Sequence, residues 1–152
     1  MPCPGRRYSI DGEQNIASPD DSILGITSAA TVRPVIHYIG IGISGTPADN
    51  AITWYLGRHT AAGTSTAVTP QALDPADPSS LTAAGENHTI EPTLTANAIL
   101  FRLALNQRAS HSWWADAYGG LQAPATAANG ITAYPVHASA TVLGDMTMHF
   151  SE

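Results

Sequence analysis

Lysine is absent from the 152 residues, and the six cationic side chains are all Arg, set against 12 Asp and Glu for a net charge of −6. Only 12% of the residues are charged, where about 25% is usual. So few cations cannot neutralise a run of phosphates or an anionic lipid surface, which excludes general nucleic-acid binding and membrane attachment of that kind. The low fraction of charged residues also indicates a surface that is polar but neutral, or that is covered by other protein.

Cysteine and long apolar runs are also scarce. The single cysteine, Cys3, excludes an intramolecular disulfide framework and a Cys-based zinc site. No run approaches the roughly eighteen apolar residues of a membrane-spanning helix. Basic residues near Met1 are not followed by an apolar stretch, so we expect no secretory signal and a protein that is used without export.

Short β-prone runs, broken by Gly, Pro and Asn, make up most of the sequence, and several alternate apolar and polar residues with period two. They predict an all-β fold, a single jelly-roll-like β-sandwich over residues 22–152. The predicted strands are 22–27, 35–43, 52–60, 64–68, 99–106, 110–115, 131–136 and 140–150.

Two segments depart from this pattern. Residues 1–21 are polar and rich in Pro, Gly and Asp, which predicts an extended N-terminal arm outside the sandwich. Within a long connection at 69–91, Asp77 as an N-cap, Pro78 at the first helical position and Gly85 at the end predict one short helix.

Motifs for catalysis or cofactor binding are weak. Glycines in 40–45 match G-x-G-x-x-G, but a strand-like run follows where a dinucleotide site needs a helix. The six histidines include no pair at metal-binding spacing, no nucleophile elbow is present, and the paired carboxylates fall in turns. We therefore predict a protein that is not an enzyme and has no metal or cofactor.

One aromatic cluster could form a binding surface: Trp113 and Trp114, with His111 before them and Tyr118 after. Adjacent residues of a strand point to opposite faces, so one Trp should enter the core and the other should face outward. The outward ring suits either a sugar platform or an anchor between subunits. The charge deficit favours the subunit contact.

Four segments carry a resemblance to a known group of proteins. They are GISGTPADN at 42–50, RHTAAGTSTAVTPQALDPADP at 58–78, LALNQR at 103–108 and PATAANGI at 124–131. In these segments the chain resembles small structural proteins of tailed bacteriophages that are similar to capsid decoration, or cement, proteins. The likeness covers roughly residues 31–152 and leaves out the arm.

This resemblance implies a virion protein, made in the host cytoplasm, that binds the outer capsid surface and bridges subunits of the major capsid protein, with self-association as a homotrimer. The expected contacts with the capsid or a neighbouring copy are Arg6, Arg7 and Tyr8 of the arm, with Trp113, Trp114 and Tyr118. Two alternatives stay open. One is a carbohydrate- or receptor-binding module of a phage tail or fibre; the other is a metal-dependent, cupin-like enzyme whose histidines converge only in the fold.

Overall fold

A computed structural model describes residues 5–17, 21–116, 119–136 and 142–152. Within these ranges the chain forms twelve β-strands and no helix. The strands are β1 (Arg7–Ile16), β2 (Leu24–Thr27), β3 (Val35–Ser44), β4 (Ala51–Ala61), β5 (Thr64–Val68), β6 (Gln71–Ala72), β7 (Ala83–Ile90), β8 (Thr93–Asn106), β9 (His111–Trp114), β10 (Leu121–Gln122), β11 (Gly130–Val136) and β12 (Val142–Ser151). The all-β prediction is confirmed.

The strands form two antiparallel sheets of six. Sheet A has the order β10-β3-β12-β1-β6, and β9 pairs with β3 on the same edge as β10. Sheet B has the order β5-β7-β2-β11-β4-β8. Neighbours far apart in sequence, such as β1 and β12, pair along their whole length, so each sheet is assembled from both ends of the chain.

The core lies between the two sheets and follows the period-two alternation of the strands. In β12, Val142, Met146, Met148 and Phe150 are buried, as the sequence predicts. In β4 the inward residues are Ile52, Trp54 and Leu56, also as predicted. A largely aliphatic interior joins these to Ile residues of β1, β2 and β3.

The predicted N-terminal arm is wrong for residues 7–16, because they form a strand inside sheet A. This strand, β1, pairs with β12 from Arg7 opposite Ser151 to Ile16 opposite Val142, and β6 pairs with its other edge. Tyr8, Ile10 and Ile16 are buried in the core. Most of the polar residues between them, Ser9, Asp11, Glu13 and Asn15, lie on the outer face. The low average hydropathy of the segment therefore does not reveal that the strand is half-buried.

The predicted short helix at 77–85 is also wrong. Asp77 closes a turn, its N–H donating to the carbonyl of Asp74 over 2.9 Å. Residues 83–90 then form β7, which pairs with β2 and β5. Tertiary pairing on both edges overrides the local helix signals, whose propensities are worth only tenths of a kilocalorie per residue, or about 1 kcal/mol at a cap.

Irregular pairing changes which side chains face inward on two strands. In β3 the register with β12 shifts between His149 and Phe150, so Ile36 joins Ile39 and Ile41 in the core. Unbroken period-two alternation over 35–43 would have placed Ile36 on the opposite face from Ile39 and Ile41. In β8 a shift beside Gly57 leaves Ile99 on the outer face, 50% exposed. A single inserted residue reverses the faces of everything beyond it.

Candidate functional site

The tandem tryptophans lie on β9, at one edge of sheet A. Trp114 is paired with Tyr38 and Trp113 with Ile39. Trp113 packs inward, its ring centroid 6.0 Å from that of Phe101, whereas Trp114 is 66% exposed on the outer face. One ring therefore belongs to the core and one to the surface, as strand alternation predicts.

Trp114 is the outermost member of a row of three rings in tilted contact, which we call the aromatic row. Its centroid lies 4.3 Å from that of Tyr38, and the Tyr38 centroid lies 4.8 Å from that of His149. The three residues are cross-strand neighbours on β9, β3 and β12. Burial lowers the pKa of His149, which favours the neutral imidazole in the row at neutral pH.

A groove of about 600 Å³ runs along the outer face of sheet A beside the aromatic row, and we call it the acidic trough. Tyr38 borders it, and its floor includes Gly40 and Gly42 of β3. A Cβ at Gly42 would meet nothing within 4 Å, so the floor is open there, whereas the Tyr38 hydroxyl lies 2.8 Å from where a Cβ of Gly40 would stand. The remaining lining residues are Asp11, Gly12, Glu13, Ile41, Glu86, Ser110, His111, Ser112, Asp145, Met146 and Thr147.

Four carboxylates give the acidic trough its charge. Glu13 and Asp145 are direct cross-strand partners, an arrangement of like charges that costs a sheet stability. Glu86 reaches over from sheet B, and its Oε2 accepts a hydrogen bond from the Glu13 N–H at 2.9 Å. No arginine lines the described part of the trough, so the electrostatic field in it is negative.

A second groove, of about 450 Å³, lies on the outer face of sheet B. The rings of Tyr55 and Tyr134 stack there with centroids 5.7 Å apart, and the Arg102 guanidinium lies 5.3 Å from the Tyr55 centroid. Exposed Leu94 and Ile99 of β8 complete an apolar lining. We call this the sheet-B groove, lined by Ser22, Tyr55, Glu91, Pro92, Leu94, Ile99, Tyr134 and Val136.

The other predicted contact residues do not form one surface. Tyr8 is fully buried, stacks on Phe150 with centroids 5.5 Å apart, and donates a hydrogen bond from its hydroxyl to the Pro78 carbonyl at 3.0 Å. It is a core residue and cannot contact a partner. Arg6 and Arg7 are exposed, and Arg7 lines a cleft beside Trp114. Tyr118 lies outside the described residues.

The histidines are dispersed over the fold. His59 and His88 lie near each other below the surface of sheet B and line one small cavity. Burial, with a smaller contribution from His88, lowers the pKa of His59 to about 4. His111 lies across from Phe101 at the trough. Among the described residues, no three His, Cys, Asp or Glu side chains form a group that could hold a metal ion.

Sequence reasoning found Trp114 and His111 but missed Tyr38, His149 and the four carboxylates. The period-two pattern of β3 and β12 already places Tyr38 and His149 on strands. What it could not supply is that β12 and β3 are neighbours and that β1 lies next to them. Without that strand order, the sequence does not indicate that Asp11, Glu13 and Asp145 lie close together in space.

No family model, curated protein or solved structure matches the chain. The class that the fold itself defines is the antiparallel two-sheet β-sandwich. In the ranges that the structure describes, no helix is long and apolar enough to cross a membrane.

Proposed function

We infer that this chain is a non-enzymatic structural protein of a bacteriophage virion, a decoration protein that binds the outer capsid surface and bridges subunits of the major capsid protein. The observation that carries the proposal is the exposed apolar surface at the β8 edge of sheet B. A protein of this kind gains its binding free energy from many repeated modest contacts rather than from a reaction centre. It needs neither cofactor nor nucleic acid.

The β8 edge has the properties of a protein contact. This strand is 14 residues long and is paired by β4 on one side only. A long, exposed, apolar edge strand can form backbone hydrogen bonds with a strand of another chain. Proteins normally prevent this with charged side chains on the edge strand or with a loop or helix that covers it. Here Leu94 and Ile99 are exposed beside the sheet-B groove. Two charged residues lie at this surface in the described part of the chain: Glu91, which accepts a hydrogen bond from the Ser22 N–H at 2.9 Å, and Arg102, which lies over the Tyr55 ring. We assign this surface to the major capsid protein.

The jelly-roll assignment belongs to the same proposal. In an eight-stranded jelly roll, one sheet holds the first, eighth, third and sixth strands, and the other holds the second, seventh, fourth and fifth. The orders β1-β12-β3-β9 and β2-β11-β4-β8 support this topology, with β5, β6 and β7 inserted between the fourth and fifth strands. Viral capsid proteins and lectins both use the jelly roll.

The test of the proposal is the amount of this chain on intact particles. Particles from the native source are banded on a density gradient, and the chain is quantified against the major shell protein by mass spectrometry. A fixed ratio repeated over the shell is the expected result. A few copies per particle would favour the tail or fibre module instead, and absence from particles would contradict both.

The contact surface has its own test. The double variant Leu94→Ser/Ile99→Ser should lower occupancy on particles depleted of the native chain. The control Leu81→Ser removes an even more exposed apolar side chain from the loop that precedes β7, and its occupancy should match the native protein. Equal occupancy of all three would refute the assignment of β8. Sedimentation equilibrium tests the homotrimer, and a monomer at micromolar concentration would contradict it.

A further inference from the structure

We propose that the outer face of sheet A is a binding site for a neutral or N-acetylated polysaccharide, which stacks on Trp114 and lies in the acidic trough. This inference is independent of the capsid contact, because it uses the opposite sheet. It assigns a ligand class to a surface whose residues come from β1, β3, β7, β9 and β12.

The exposed ring of Trp114 is the first element of the site. A tryptophan that is 66% exposed keeps a large apolar face in water, which is costly unless a partner covers it. Its other side is supported by Tyr38 at 4.3 Å, and Tyr38 is supported in turn by His149. A ring held in this way is pre-oriented, so a sugar can stack on it without ordering a side chain.

The acidic trough is the second element. Residues on one face of a strand recur every 6.6–7 Å or so, and the trough extends from Tyr38 past Gly40 to Gly42 along β3. Gly42 leaves room for a guest, whereas the Tyr38 ring lies over Gly40 and borders that space. The carboxylates of Asp11, Glu13 and Asp145 line the same groove. Hydrogen bonds to ionised acceptors are roughly twice as strong as neutral ones. Carboxylates therefore suit the hydroxyl groups of a saccharide.

The negative charge of the acidic trough determines which saccharides can bind there. Glu13 and Asp145 oppose like charges across neighbouring strands, which costs the sheet stability. A sulfated or sialylated chain in the trough would add to this repulsion, whereas hydroxyl donors relieve it. Arg7, in the cleft beside Trp114, sets one cation against the four carboxylates of the trough. The site should therefore discriminate against anionic glycans, and salt should affect the binding of neutral chains little.

The experiment measures binding of the full chain to defined probes by affinity electrophoresis, followed by titration calorimetry. The probes are N-acetylated chito-oligosaccharides, cello-oligosaccharides and malto-oligosaccharides, with heparin as the anionic comparison. We expect at least one neutral series to bind and heparin not to bind. Trp114→Ala and, separately, Asp145→Asn should each weaken the neutral ligand by about tenfold or more, which is 1.4 kcal/mol.

Matched variants separate the site from general effects. Leu81→Ala removes another exposed apolar side chain, and Asp77→Asn removes a carboxylate on the Asp74–Asp77 turn; both should bind as the native chain does. Circular dichroism and the melting temperature confirm that each variant is folded. No binding to any neutral series, equal binding by Trp114→Ala, or heparin binding as tight as that of the neutral chains would each overturn the proposal.

Discussion

Replacing Ile10 by Ala tests whether residues 7–16 belong to the sandwich or form an arm. Ile10 is 1% exposed, lies opposite Met148 of β12, and belongs to the main core cluster. If the segment were an arm, the substitution would change only its contacts with a partner. If it is a central strand, the free energy of unfolding must fall.

The magnitude follows from the atoms removed. Ile to Ala deletes three carbons, each worth about 0.8 kcal/mol of transfer free energy, or about 2.4 kcal/mol together. The cavity that remains adds about 1–2 kcal/mol when neighbours do not collapse into it. The sum, about 3–4 kcal/mol, is a large part of a domain stability of about 5–15 kcal/mol. It should lower the melting temperature by roughly 10 °C for a chain of this size.

Chemical denaturation monitored by tryptophan fluorescence gives the measurement, and Asn15→Ala on the exposed face of β1 is the control. The control should stay within about 0.5 kcal/mol of the native chain. If Ile10→Ala also stays within that margin, β1 is not part of the cooperative fold and the reasoning about sheet A fails. The same logic predicts that deletion of residues 1–16 prevents folding.

Three further predictions concern buried or half-buried polar groups. In the unfolded chain the His59 imidazole takes up a proton below its ordinary pKa of 6.5, whereas in the folded protein it stays neutral down to a pH of about 4. The free energy of unfolding should therefore fall by up to about 3 kcal/mol as the pH is lowered between those values. His59→Gln should reduce this pH dependence, which urea titrations at a series of pH values measure. Burial acts to raise the pKa of Glu152, but hydrogen bonds from Leu81, Thr82 and Ser80 outweigh it and the pKa is lowered. Glu152→Gln should cost about 1–2 kcal/mol at pH 7, and the difference from the native chain should vanish as the pH falls through the folded pKa; a constant difference would exclude the charge as its cause. The hydroxyl of Thr132 is buried without a hydrogen-bond partner, so Thr132→Val should raise the free energy of unfolding by about 1 kcal/mol in urea, and a loss of stability would show that the hydroxyl is satisfied.

Much of the fold was predictable from local alternation. The inward residues of β4 and β12 follow directly from their sequences, since strong apolar residues recur at every second position. In β1 the same rule is obscured, because the inward positions include Gly12 and Gln14. At Gly12 the missing side chain leaves space that Glu86 of the opposite sheet occupies, since a Cβ there would lie 2.9 Å from the Glu86 Cβ. No local pattern encodes that compensation.

The candidate site was less predictable, since it depends on strand order. The exposure of Trp114 can be inferred from the sequence only if one already knows which strand pairs with β9 and which face of that strand lies outward. Likewise, Glu13 and Asp145 are 132 positions apart in the chain yet directly opposed in the sheet. Each looks like an ordinary surface carboxylate until the pairing of β1 with β12 brings them together.

The pairing of β1 with β12 has a mechanical consequence. Gly5 lies beside Glu152, and the Glu152 N–H donates to the Arg6 carbonyl at 3.1 Å, so both ends of this strand pair leave the sandwich at one corner. A force applied between these two ends would load the hydrogen bonds one after another, peeling the strands apart as a zipper opens. The same sheet pulled from one end of β1 and a point on another strand at the opposite corner would resist in shear, with many bonds loaded together. The direction of a pull, and not only the free energy of unfolding, would therefore decide how well this domain resists an applied force.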